Sequence, residues 1–164
     1  MRSENIILIG MPGAGKSTVG VVLAKTLGMD FVDTDLIIQQ NTGRLLQDII
    51  DVDGLPAFLA VEETILSNLS ATGSVIATGG SACYSDKAMQ HLKSIGKVVY
   101  LNVPCDEIIR RVKNIATRGI AVRPGRSLKD VYEERTPLYE KYADITVNCE
   151  NVEKTVAEIR YALG

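Results

Sequence analysis

This sequence offers little to a chemistry built on histidine or sulfur. Its 164 residues hold one histidine, His91, within "MQHLKSIG". That stretch reads as a surface helix, so catalysis is not expected to rest on an imidazole. The three cysteines are Cys83, Cys105 and Cys149. They are far apart, odd in number and in no zinc-binding spacing, which leaves reduced thiols as the expectation. An excess of charge of one sign is also missing. Lys and Arg total 18 against 20 Asp and Glu, giving a formal net charge of -2 and a pI of about 5.5. That balance builds no field for nucleic acid or for an anionic membrane. No apolar run approaches the ~20 residues that span a bilayer. The apolar stretch near the N-terminus is too short for a signal peptide. Repeats, low-complexity segments and linkers are absent too. The expectation is one cytoplasmic domain over residues 1–164.

What the chain does contain is a regular alternation. Apolar strand-like runs fall at 6–9, 30–33, 74–78, 97–102 and 145–148. Helical patterns lie near 16–27, 36–40, 45–51, 56–69, 86–95, 105–115, 128–142 and 152–163. Runs such as "IILIG", "SVIAT" and "KVVYL" are continuous rather than alternating, as in parallel strands covered on both faces. The fold class is therefore α/β, a parallel sheet with helices on both faces. Ligands of such sheets bind beyond the carboxyl ends of the strands. Two insertions interrupt the pattern. Residues 34–70 read as a helical substrate-binding region, with two helices in a row over 43–69. Residues 116–127, which include "RGIAVRPGRS", read as a basic lid.

The most informative stretch is "GMPGAGKST", residues 10–18. It fits G-x-x-x-x-G-K-[ST] through Gly10, Gly15, Lys16 and Ser17, with a strand before it and a helix after it. Glycines let backbone N–H groups turn inward around phosphate oxygens. The helix that begins at Lys16 points the positive end of its dipole at the same anion. Gly10, Gly13, Ala14, Gly15, Lys16, Ser17 and Thr18 are the candidate nucleotide contacts. Lys16 is expected to reach the outer phosphates and the Ser17 hydroxyl to ligate Mg²⁺.

"FVDTD" places Asp33 and Asp35 at the end of the second strand. Alternation would aim both to one side. One carboxylate suits the metal and the other suits a hydroxyl nucleophile. Asp35 or Thr34 could equally begin a helix as its cap. "TGGSA" closes the third strand with Gly79, Gly80 and Ser81, allowing a close backbone approach or a tight turn. In "RTPLYEKYAD", Leu138, Tyr139 and Tyr142 make an apolar face. Arg135 stands beside them as a group able to hold a carboxylate, or to pair with a nearby acid.

Taken in order, "GMPGAGKST", "FVDTD", "TGRLLQDII", "DG-x-x-x-F", "TGGSA", an arginine-bearing lid and "R-x-P-L-Y" resemble the shikimate kinases over nearly the whole chain. The resemblance implies a nucleoside-monophosphate-kinase-like P-loop fold with a five-stranded parallel sheet in the order 2-3-1-4-5. It implies ATP, Mg²⁺ and transfer to the 3-hydroxyl of shikimate, a step of aromatic amino acid biosynthesis. No nucleic acid, membrane or second subunit is expected as a partner. On this resemblance Lys16 and Ser17 hold phosphate and metal, and Asp33 is the metal-side aspartate. Asp35 binds the acceptor hydroxyls and takes the proton. Gly79, Gly80 and Ser81 approach the acceptor. Arg118 closes from the lid, Arg111 lies against adenine, and Arg135 is one of two arginines that clamp a carboxylate.

The second clamping arginine is absent. Where the family carries "G-E-x-x-F-R-x-x-E", this chain has "GLPAFLAVE": Gly54, Phe58 and Glu62 match, whereas Leu55 and Leu59 replace the glutamate and the arginine. The family's "R-P-L-L" in the lid is "RGIA" here. Three readings stand at this point. One is an active shikimate kinase with Arg123 or Arg126 completing the clamp. Another is a kinase of the same fold acting on a different small hydroxylated metabolite, with Leu59 lining a less polar acceptor pocket. The third is a nucleotide-binding regulator that has lost catalysis. Leu59 could also simply widen the buried stripe of its helix.

Overall fold

The computed structural model describes residues 4–112 and 120–164. Within them, strands β1 (Asn5–Ile9), β2 (Asp30–Asp33), β3 (Ser74–Ala77), β4 (Gly96–Asn102) and β5 (Ile145–Asn148) form one parallel sheet in the order β2-β3-β1-β4-β5. Every residue of β1 and β3 is buried. Side chains alternate across a sheet, so burial at every position means that helices cover both faces. The edge strands β2 and β5 are only partly covered. Because all strands are parallel, their carboxyl ends share one edge.

The helices are α1 (Lys16–Leu27), α2 (Thr34–Thr42), α3 (Leu46–Asp53), α4 (Leu55–Ser67), α5 (Asp86–Ile95), α6 (Cys105–Arg111), α7 (Leu128–Tyr142) and α8 (Val152–Leu163). Among the described residues none is long and apolar enough to cross a membrane. The expected extension of α6 to residue 115 lies outside the described residues, as does lid segment 116–119 with Arg118. In α7, Leu128, Val131, Arg135, Tyr139 and Tyr142 are buried at steps of three and four, which is one helical face. Ser127 and Asp130 start that helix with a reciprocal capping box.

Helix α2 is longer than its sequence pattern suggested, and its cap is neither Asp35 nor Thr34. The Asp33 carboxylate accepts from the backbone N–H of Asp35 at 2.9 Å and of Leu36 at 3.4 Å, so the helix starts at once after the strand. Only Gly54 separates α3 from α4. Ile38, Leu46, Ile49 and Phe58 from these three helices form a small core of their own, joined by Ala121.

Two buried polar side chains tie the elements together. Asn5 donates to the carbonyls of Ala71 (2.8 Å) and Ile95 (3.0 Å) and accepts from the Ser74 N–H (2.9 Å). It thereby joins β1 to the chain entering β3 and β4. Asn5→Ala would take a partner from one buried and two partly buried backbone groups and should lower stability by about 2–4 kcal/mol, read from urea midpoints. Glu62 on α4 is also buried; its Oε1 accepts from Ser81 Oγ at 2.7 Å, while Oε2 has no partner among the described residues. Burial pushes its pKa up from 4.5 to about 7, with Asp35 adding to the rise and Ser81 and Arg135 opposing it. The folded state then holds this proton more tightly than the unfolded chain. The resulting stability is full below about pH 4.5 and is lost as pH rises through about 7. Glu62→Gln should match the parent below about pH 4.5 and exceed it above pH 7 by about 3 kcal/mol in pH-dependent denaturation curves.

Candidate active site

At the carboxyl edge of the sheet the chain leaves a cleft of about 500 Å³. The turn after β1 forms one wall. Gly10, Gly13 and Gly15 all have positive φ, of 149°, 82° and 94°. The loop turns tightly enough for Ala14 N–H to reach the Met11 carbonyl at 3.0 Å. Lys16 curls back over this loop, and its Nζ donates to the carbonyls of Gly10 (2.7 Å) and Met11 (2.8 Å). Burial lowers the Lys16 pKa to about 8, against the opposing pull of Asp35. Ser17 and Thr18 follow on the first turn of α1 and line the same cleft.

Asp33 and Asp35 both reach the cleft, though not by strand alternation. The strand ends at Asp33, and Asp35 sits in the first turn of α2. One oxygen of Asp33 is committed to the helix cap. Burial raises the Asp35 pKa to about 6, with Asp33 reinforcing the rise and Lys16 opposing it.

The floor follows β3. A Cβ on Gly79 would sit 2.7 Å from Asp35 Oδ1 and 3.2 Å from Glu62 Oε2. One on Gly80 would meet Pro12 Cδ at 2.8 Å and Arg135 Nη1 at 2.9 Å. Both glycines are therefore required by close approach. The Gly80 carbonyl accepts from Tyr139 OH at 2.6 Å, which fixes the floor to α7. Arg135, fully buried on α7, donates from Nη2 to the Ala121 carbonyl at 2.6 Å and from Nε to Tyr84 OH at 3.1 Å.

The structure thus brings Gly13, Ala14, Gly15, Lys16, Ser17, Thr18, Asp33, Asp35, Gly79, Gly80, Ser81, Arg111 and Arg135 to one cleft. Arg111 is tied to the phosphate loop, with Nη1 donating to the Gly13 carbonyl at 3.0 Å and Nε to Glu107 at 2.8 Å. Gly10 serves the loop's turn and accepts from Lys16. Leu59 is not on this cleft. It lines a neighbouring apolar cavity of about 260 Å³ with Leu55, Tyr84, Val122, Arg123 and Arg126. Helical packing turns it there, against the small core. Arg123 and Arg126 face that cavity too, and Arg126 lies 3.7 Å from Glu134.

Sequence reasoning passed over the segment from Cys149 to Thr155, which borders the cleft beside Arg111. Its position at the carboxyl end of β5 was the available signal. Tyr84 was passed over as well, and Glu62 was noted only as a match to the family motif, with no role assigned. Neither sits in a phosphate motif, and only the packing of α4 and α7 against the floor reveals their partners.

The family model described as shikimate kinase matches residues 12–163. The chain is 42% identical to the shikimate kinase of Pseudomonas paraeruginosa over 146 residues, covering 87% of this chain and 85% of that one. The solved shikimate kinase of Acinetobacter baumannii, in complex with shikimate, superposes with a TM-score of 0.90 at 32% identity, over 98% of this chain and 93% of the other. That of Aquifex aeolicus superposes with a TM-score of 0.83 at 33% identity, over 97% and 95%. With the sheet order and the phosphate loop already in place, these matches mean that the chain belongs to the shikimate kinase family.

Proposed function

We propose that this chain transfers the γ-phosphoryl group of ATP to the 3-hydroxyl of shikimate. The observation that carries the reading is the convergence of Lys16, Asp35 and Arg135 on one cleft. The phosphate loop and Lys16 hold the outer phosphates and offset the charge that moves during transfer. Arg111, with the 149–155 segment, borders the end that suits the adenine. Asp35 accepts the proton of the acceptor hydroxyl. The freed oxygen bonds to the γ-phosphorus, the bond to the β–γ bridging oxygen breaks, and ADP leaves. A carboxylate with its pKa raised toward the operating pH is suited to that task. Arg135 receives the acceptor's carboxylate beside Gly80.

The Ser17 hydroxyl and the free oxygen of Asp33 make a hard oxygen donor set of the kind that fits Mg²⁺, which keeps waters and phosphate oxygens for the rest of its shell. When bound, Mg²⁺ would neutralise charge on the β- and γ-phosphates. Among the described residues no cluster of three or more side chains forms a closed metal cage, in keeping with a site that the nucleotide itself completes.

A second reading has one observation in its favour. With Leu59 turned to the apolar cavity, Arg135 is the one guanidinium among the described residues that faces the acid end, and an acceptor with less negative charge there would suit the cleft. A coupled ADP-release assay over shikimate and other hydroxylated metabolites separates the two. Shikimate should support turnover of ~1–100 s⁻¹. Asp35→Asn should lower kcat by ~100-fold or more while leaving the KM for ATP nearly unchanged. Turnover confined to another acceptor would install the second reading, and full activity of Asp35→Asn would remove Asp35 from its role.

A further inference from the structure

Arg135 is an unusual buried cation. Among the described residues its partners come from three residues: the Ala121 carbonyl, the Tyr84 hydroxyl with the face of its ring, 5.1 Å from the guanidinium carbon to the ring centroid, and the Tyr139 side chain. None of the three carries a formal charge. Glu62 is near enough to feel its charge, but a buried cation whose direct partners are all neutral is costly until an anion completes its shell. Two of its nitrogens are committed, Nη2 to Ala121 and Nε to Tyr84. The third, Nη1, lies at the floor against Gly80. The direction in which Nη1 points is therefore set by what holds the guanidinium, with Tyr84 gripping it from one side and Ala121 and Tyr139 from the others.

Tyr84 holds Arg135 in two ways. Its hydroxyl accepts from Arg135 Nε and donates to Glu134 Oε2 at 2.7 Å. Its ring lies under the guanidinium. The ionised Glu134 strengthens the phenol oxygen as an acceptor by drawing on its proton, so the three groups form one polarised chain. Tyr84 is also the last residue of the 3₁₀ turn Ala82–Tyr84, which follows the Gly79–Ser81 floor directly. It ties the floor to α7 from the side on which Leu59 has no hydrogen-bond donor to offer.

We propose that Tyr84, backed by Glu134, is a positioning residue that aims Arg135 at the carboxylate of the acceptor and so sets the affinity for the acid. The proposal rests on the reading that Arg135 receives that carboxylate. A single guanidinium recognises a carboxylate well only when its donors are correctly directed. Tyr84 would supply that direction without touching the substrate.

The test is steady-state kinetics with shikimate and ATP varied separately. Tyr84→Phe keeps the ring and removes the hydroxyl relay. It should raise the shikimate KM about fivefold or more, with kcat and the ATP KM little changed. Tyr84→Leu removes the ring as well and should raise the shikimate KM further. Glu134→Gln should give a smaller rise, and combining it with Tyr84→Phe should add nothing, because both act through one chain. Equal shikimate KM values for the parent and Tyr84→Phe would overturn the proposal and leave the kinase reading intact. Matching losses in ATP KM and kcat would also overturn it, by marking a merely structural role. Additive effects of the two substitutions would do the same, by placing Glu134 on a separate route such as Arg126. No shikimate turnover by the parent protein would instead overturn the kinase reading, and the proposal with it.

Discussion

The architecture depends on the complete burial of β1 between β3 and β4. A strand with neither face in water can present polar groups only at its ends, and parallel neighbours send their ends the same way. The phosphate loop, the Asp33 cap and the glycine floor therefore gather at one edge. Their charged groups are partly withdrawn from water as a result. Lys16 is pushed down while Asp35 and Glu62 are pushed up, and desolvation leads in all three cases. One geometric fact thus produces both the cleft and the altered proton affinities within it.

The features legible from sequence are those in which local order and chemistry coincide. The phosphate loop is one, because glycines, lysine and hydroxyl act within nine consecutive residues between a strand and a helix. The strands are another, since burial on both faces leaves continuous apolar runs. Asp33 and Asp35 were found for a partly mistaken reason: they share the cleft because a helix starts on the Asp33 carboxylate, not because a strand alternates. Leu59 was expected at the acceptor, and the packing of α4 against α2 and α3 turns it elsewhere. Glu62 was legible only as a match to the family motif, and Tyr84 was not legible at all. Their partners, Ser81 and Arg135, lie 19 and 51 residues away, and no local pattern records such distances.

On the proposed reading, the acid end of the cleft shows how one loss can be distributed over several residues. The position at which the family carries an arginine is an apolar wall here, and Arg123 and Arg126 face the neighbouring cavity. Among the described residues what remains there is one guanidinium, held by a carbonyl and two tyrosines. Recognition then depends less on the number of positive groups than on how firmly one of them is held.

The helical insert carries a core of its own, built from Ile38, Leu46, Ile49 and Phe58 and distinct from the interior around the sheet. It meets the cleft through Asp35 at the start of α2, through Phe58 and, from across the chain, through Ala121. Such an arrangement is modular in the evolutionary sense. Substitutions inside the insert can reshape what is recognised without disturbing how nucleotide is gripped, because the two layers share few side chains. Drift at Leu55 and Leu59 beside an intact phosphate loop is the outcome that this division permits. New acceptors would be reached through the insert, while the loop stays under constraint.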